Sequence, residues 1–184
     1  MSFFAPPPRT RFDLNFRFAG FPVRVHPLFW IMALLLGGIT SGITQLLIWI
    51  IAVFVSILIH ELGHSLVMRF YGVDSYIVLH MAGGLAIPRS SRRGELDWVP
   101  QVLISLAGPF AGFTLAAIIV GVVAALGGTI VVNLLLGIIP LPMAMLPSSG
   151  WIVNSAVRTL LWINIFWGLI NLFPVYPLDC LLYT

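Results

Sequence analysis

The 23 residues between Gln45 and Arg69 hold one carboxylate, Glu61, and two histidines, His60 and His64, in an otherwise largely apolar run. About 20 such residues are enough for a helix to cross the hydrocarbon core of a bilayer. Inside that core every backbone N–H and C=O must be satisfied within the segment, so a helix is the form this run can take. On a helix, residues four apart project from the same face, one turn above the other. His60 and His64 can then share one zinc ion, with Glu61 near enough to act on a water held there. An ionisable side chain at membrane depth costs at least ~2.5 kcal/mol and is functional by default. The pattern points to a metal site and to hydrolysis inside a membrane.

Composition supports the membrane setting. Of the 184 residues, 60% are hydrophobic and 8% charged, with a mean hydropathy of +1.07. A water-soluble surface needs far more charge, so a multi-pass integral membrane protein is expected. All nine basic residues are arginine, and against six acids they leave a net charge of +3. That is too little and too scattered for a nucleic-acid partner. Arg9, Arg11, Arg17 and Arg24 precede the first apolar run, and Arg69, Arg89, Arg92 and Arg93 follow the second. Positive-inside counting therefore places the N-terminus and the 70–97 loop in the cytoplasm, at the cell membrane if the source is prokaryotic. No small-residue cleavage site follows the first apolar run, which is expected to stay as a helix rather than be removed as a signal. The single Cys180 excludes an internal disulfide.

From Arg11 to His26 the pattern alternates. Phe12, Leu14, Phe16 and Phe18 interleave with Asp13, Asn15 and Arg17, and Val23 and Val25 with Arg24 and His26. With Ala19-Gly20 as the turn, this reads as a short β-hairpin at the membrane surface. Four apolar spans follow, at 28–44, 46–69, 99–126 and 152–173. Between the second and third, Ser75–His80 reads as a strand, followed by Gly83-Gly84 and a polar stretch through Glu95. Segment 128–147 is apolar enough to span, but Pro140, Pro142 and Pro147 crowd it, and proline inside a helix costs ~3 kcal/mol or more. If it spans, the last helix ends opposite the 70–97 loop; if it does not, that end returns to the histidine side. The expected architecture is an all-α polytopic membrane protein with about four transmembrane helices. A short N-terminal β-hairpin and a membrane-associated strand between the second and third helices complete it.

Catalytic zinc usually takes three protein ligands and leaves one position open. Asp13 lies in the hairpin, and Asp74, Glu95 and Asp97 lie in or beside the polar loop, where solvation explains them. Asp179 stands alone after an apolar helix, in Asn171-Leu-Phe-Pro-Val-Tyr-Pro177-Leu-Asp179. Two prolines there unwind the helix end, and irregular backbone at membrane depth needs protein or a water-filled cavity to receive it. We take Asp179 as the third ligand, which favours a non-spanning 128–147. His26 and His80 each close an alternating strand and read as interfacial histidines. Gly108 and Gly112, around Pro109, read as close helix packing. Asn164 and Asn171 share one face of the last helix, with Asn171 the candidate contact to a substrate backbone.

These residues carry a resemblance. His60-Glu61-Leu-Gly-His64 in a span, Ala107-Gly108-Pro109 in the next, and Asn171-x-x-Pro174-x-x-Pro177-Leu178-Asp179 after a later one resemble the site-2 protease family of intramembrane zinc metalloproteases. Val23-Arg-Val-His26-Pro27 and Gly83-Gly84 are similar to its prokaryotic members. The resemblance covers nearly the whole chain from about residue 20, in a minimal form without PDZ or other soluble domains. It implies Zn2+ as cofactor, His60, His64 and Asp179 as ligands, and Glu61 as general base. It further implies transmembrane proteins within the lipid bilayer as substrates of regulated intramembrane proteolysis, for which Gly83, Gly84 and Asn171 are the candidate contacts. Residues 1–27 then form a tail and interfacial hairpin, and 28–184 the membrane-embedded metalloprotease core. The family usually continues Leu-Asp-Gly into another helix, whereas here Cys180 takes the glycine position and Thr184 is the last residue. Two expectations follow: a truncated or shifted reading of a longer protein, or a form with impaired catalysis.

The leading expectation is peptide-bond hydrolysis, with the Ser75–His80 strand edge pairing an extended substrate by β-augmentation. The alternative is a catalytically impaired membrane scaffold that binds substrates or partners, which has no need of Glu61. A membrane di-iron oxygenase would need more histidines than the four present. A metal transporter would need more Asp and His groups along several helices. The oligomeric state is left open, a homo-oligomer included.

Overall fold

The computed structural model describes residues 7–37, 42–89, 96–135 and 139–172. The alternating N-terminal segment forms the expected hairpin, β1 (Leu14–Phe18) and β2 (Phe21–Val25), turned at Ala19 and Gly20 with φ of 50° and 85°. Then follow α1 (Pro27–Gly37), α2 (Ile43–Phe70), β3 (Ser75–His80), β4 (Gly83–Pro88) and α3 (Trp98–Ala125). The described chain closes with β5 (Thr129–Leu135), β6 (Ile139–Met145) and α4 (Trp151–Asn171).

The described chain is mostly helical, as expected, but it carries more strand than the expected hairpin and single strand. The hairpin and the strand after α2 are parts of one four-stranded sheet, ordered β1-β2-β3-β4. β2 and β3 run parallel with Val23 beside Ile77 and Val25 beside Leu79, while β3 and β4 are antiparallel from Ser75–Pro88 to His80–Gly83. β2 and β3 are joined through α1 and α2, so their pairing leaves no local mark in the sequence. Period-two alternation puts Phe21, Val23, Val25, Ile77 and Leu79 on one buried face. That face packs on Phe29 and Ala33 of α1 and on Ala52, Val53, Ile57 and Leu58 of α2.

Segment 128–147 does not form a helix. It folds back as the antiparallel β5–β6 hairpin, with Thr129 opposite Met145 and Leu135 opposite Ile139. Pro140 and Pro142, two apart, occupy equivalent register positions in a two-stranded ribbon, where a missing N–H can face away from the partner strand. The helices α2, α3 and α4 are long and apolar enough to cross a membrane, which makes the chain an integral membrane protein. The first apolar run, expected to span from 28 to 44, gives an 11-residue helix in the described residues, about 16 Å long.

Side-chain rungs fix the helix directions. Ser155 donates to Gln45, Asn164 Nδ2 donates to Ser56 Oγ at 2.8 Å, and Asn171 lies 3.4 Å from His60. Position numbers rise together along α2 and α4, so these helices are parallel. α3 runs the other way, with His64 beside Ile104 and His60 beside Gly108. The end of α4 thus returns to the histidine side, as the ligand argument for Asp179 requires.

Candidate metal centre

His60, Glu61 and His64 lie on the buried face of α2, between 3% and 5% exposed. Three elements close over them. α3 brings its backbone against both imidazoles at Gly108: a Cβ built there would stand 2.7 Å from His60 Nε2 and nearer still to His64 Nε2. The same helix comes this close because Gly63 of α2 faces the Ala107 carbonyl and lies 2.8 Å, at its own missing Cβ, from Ala111 Cβ. β4 lays Gly84 on the Glu61 carboxylate, with a Cβ at that glycine only 2.5 Å from Oε1. α4 contributes Asn171.

The imidazoles point at each other. His64 Nδ1 is 2.6 Å from the carbonyl of Ile104, which can only accept, so Nδ1 carries the proton and Nε2 presents a lone pair. His60 Nε2 faces the Asn171 amide nitrogen, which can only donate, at 3.4 Å. The two Nε2 atoms are 3.3 Å apart. Two nitrogen ligands at the usual zinc distance of about 2.0–2.1 Å, set at a tetrahedral angle, stand roughly 3.3–3.4 Å from each other. The pair therefore fits one shared zinc ion. Among the described residues no third His, Cys, Asp or Glu completes a metal-binding group with them; Asp179 and Cys180 lie outside the described residues.

Of the expected substrate contacts, Gly83, Gly84 and Asn171 are all brought to this region. Gly83 and Gly84 need to be glycine for different reasons. Gly83 has φ of 124°, which a side chain would strain, and Gly84 has the Glu61 carboxylate where its Cβ would be. Asn164 instead makes a helix-to-helix bond with Ser56. His26 and His80 are buried within the protein, 6% and 3% exposed, at the matching ends of parallel β2 and β3. Each accepts a backbone N–H at Nδ1, from Leu28 and Ala82. Burial, then neighbouring His26, then Arg24 lower the pKa of His80, so it stays neutral at pH 7. Sequence reasoning missed the Ile104 carbonyl and the contact of Gly108 with the histidines; the Ala-Gly-Pro motif was the only available signal.

Gly84→Ala is expected to keep zinc but displace either β4 or the Glu61 carboxylate. For a hydrolytic reaction that uses Glu61, a shift near 1 Å should slow the step about a hundredfold. Metal analysis beside a single-turnover hydrolysis assay reads both, and a wild-type rate would show that the strand simply yields.

A His-Glu-x-x-His helix buried among other apolar helices, with both imidazoles turned toward one point, defines a membrane-embedded metallopeptidase scaffold. Residues 48–180 match Peptidase family M50, and the chain belongs to that family, that of the site-2 proteases. Among its relatives is the Zinc metalloprotease MJ0392 of Methanocaldococcus jannaschii, 27% identical over 173 residues, covering 89% of this chain and 42% of the relative. Another is the Putative zinc metalloprotease Rip3 of Mycobacterium tuberculosis, 27% identical over 179 residues, covering 89% and 40%. The chain thus spans about two fifths of the length of the curated relatives it matches. The solved structure of the Site-2 Protease from Methanocaldococcus jannaschii aligns with a TM-score of 0.58 and 24% identity, over 91% of this chain and 68% of that one. That likeness is one of fold.

Proposed function

We propose that the chain is an intramembrane zinc metalloendopeptidase that cleaves peptide bonds of membrane-spanning proteins. The observation that carries this reading is the 3.3 Å approach of His60 and His64 Nε2 beside buried Glu61. That point lies roughly 12 Å along the helix from Phe70, inside a hydrocarbon core of about 30 Å. His60 and His64 would hold the zinc, with Asp179 as third ligand. When bound, zinc would bring the pKa of a water to about 7 and polarise a scissile carbonyl.

The chain's own groups supply the rest. Glu61 takes a proton from the water on a carboxylate oxygen and passes it to the departing amine nitrogen, so that the amine leaves uncharged. The Ile104 carbonyl, by holding the Nδ1 proton of His64, keeps the Nε2 lone pair directed at the metal position. Packing of α3 and β4 over the site limits bulk water around the reacting groups.

A transmembrane substrate hides its carbonyls in helical hydrogen bonds and must be extended before cleavage. The Ser75–His80 edge first expected to receive it is not available, because β3 is paired on both sides, with β2 and β4. β4 ends the sheet order and touches Glu61 through Gly84. An extended segment added to β4 would run past the carboxylate, so we assign β-augmentation to β4. The first crossing is then shared. β2 starts at the level of Arg69, whose guanidinium lies 4.4 Å over Phe21. β2 and α1, each about 16 Å long, together descend to the far end where α2 begins. Arg17, Arg69 and Arg89 gather toward the Arg69 end, which positive-inside reasoning assigns to the cytoplasm.

The test is cleavage of a transmembrane peptide by the purified chain in lipid nanodiscs. We expect cleavage with zinc, loss on chelation and recovery on adding zinc back. Peptides N-methylated at alternate backbone amides should be cut more slowly. A zinc-loaded chain that leaves every peptide intact would instead support the scaffold reading, and insensitivity to N-methylation would remove the β4 step.

A further inference from the structure

On the face of the sheet opposite the helices lies a cavity of about 360 Å³ that the chemistry above does not use. Arg9, Asn15, Arg24, Tyr76 and Arg89 supply its polar lining, and among the described residues no carboxylate lines it. The register explains the gathering. Asn15 is opposite Arg24 across β1–β2, so both side chains leave the sheet on the same face. Tyr76 joins from β3, and Arg89 follows the end of β4, held by a bond from its N–H to the Asp74 carbonyl at 2.7 Å.

The chain before β1 folds over this face. Thr10 donates from its backbone and hydroxyl to Asp13 at 3.2 and 2.6 Å. Arg24 donates to Asp13 at 3.2 Å and to the Pro7 carbonyl at 2.9 Å. Burial raises the pKa of Asp13, but the Thr10 bonds and Arg24 together outweigh it and keep the carboxylate ionised. Its charge is therefore matched by Arg24, whose side chain is 11% exposed. Among the described residues neither Arg9 nor Arg89 pairs with a carboxylate, and Arg89 rests 5.8 Å over the Tyr76 ring. Two guanidiniums in excess, an amide, a phenol and a volume in the range of small-ligand sites describe a receptor for a phosphate group.

Location selects its source. The cavity opens at Tyr76 and Arg89, near the sheet end level with Arg69, and runs from there along β2 to Asn15 and Arg24, about 10 Å further down. On the other face of β1, Leu14 and Phe18 are 51% and 40% exposed, with Phe12 just before it at 70%. β1 is thus an interfacial strand, apolar toward acyl chains and basic toward headgroups. We propose that the cavity formed by Arg9, Arg24, Arg89 and Tyr76 binds the phosphate of an anionic lipid headgroup. Such a ligand would tie the N-terminal segment to Arg89 and so hold the end of β4, the strand that touches Glu61.

Native mass spectrometry of the detergent-solubilised full chain, titrated with phosphatidylglycerol, phosphatidylcholine or inorganic phosphate, tests this. We expect one phosphatidylglycerol retained in preference to phosphatidylcholine, and affinity about thirtyfold lower in the Arg9→Gln/Arg89→Gln variant. Lysine at both positions should recover most of it, and an unchanged circular dichroism spectrum confirms folding. Removing the same charge outside the cavity, in Arg11→Gln/Arg158→Gln, should change little. Equal loss in that control, or wild-type affinity in Arg9→Gln/Arg89→Gln, would overturn the site. Saturation by inorganic phosphate as readily as by the lipid would overturn the headgroup assignment in favour of the free ion.

Discussion

Glu61→Gln is expected to lower kcat by about 10²–10⁴ while zinc content and KM stay near wild type. The substitution is isosteric, and that decides the prediction. Glu61 is 5% exposed and the backbone of β4 rests on its carboxylate at Gly84, so a smaller side chain would open a void beneath the strand and confuse two effects. Glutamine fills the same space and keeps an acceptor oxygen, but it cannot take a proton from water at neutral pH. Loss of rate with retained zinc therefore isolates proton transfer. Loss of zinc together with rate would mean that Glu61 orders the site instead, and an unchanged rate would remove it as the base. The measurement is single-turnover cleavage of a transmembrane peptide alongside metal analysis of the same sample.

The metal pair was legible because two constraints coincide in one short stretch. Apolarity over 23 residues requires a helix, and a four-residue spacing on a helix requires a shared face. The sheet was legible only in pieces. Alternation marks β1, β2 and β3 one by one, but the parallel pairing of Val23 with Ile77 joins residues 54 positions apart across two helices. Tertiary packing sets it, and no local preference announces it. β4 was harder still: Gly-Gly-Leu-Ala-Ile-Pro has no alternation, because its glycines answer to the Glu61 carboxylate and to a positive φ. The prolines of 128–147 argued correctly against a helix, yet an apolar run without period-two polarity gave no sign of a hairpin. Asp179 was chosen by what the other five acids were doing, and its position lies outside the described residues.

Gly108→Ala is expected to weaken zinc binding by at least about a hundredfold and to abolish cleavage with it. The added methyl would stand 2.7 Å from His60 Nε2, 2.6 Å from His64 Cε1 and closer to His64 Nε2, all inside contact distance. Neither side can yield cheaply. His64 is tied at Nδ1 to the Ile104 carbonyl, one turn earlier on the same helix as the intruding methyl, so retreat breaks a 2.6 Å bond. α3 cannot back away without separating the Gly63 backbone from the Ala107 carbonyl and Ala111. Overpacking of this kind costs about 1–3 kcal/mol of stability, a modest loss for a chain that still folds. The larger effect falls on the 3.3 Å spacing of the two Nε2 atoms, which any rotation or shift would change. Gly112, one turn further along α3, supplies the comparison. Its Cβ would lie 3.4 Å from the Asn164 backbone oxygen and Oδ1, a distance at the edge of ordinary contact, so Gly112→Ala should keep its zinc. In sequence the two glycines look alike, as small residues at a helix crossing. Metal analysis of the pair separates them: equal zinc in both variants would reduce Gly108 to helix packing, and loss confined to Gly108→Ala would establish that its bare backbone shapes the metal site.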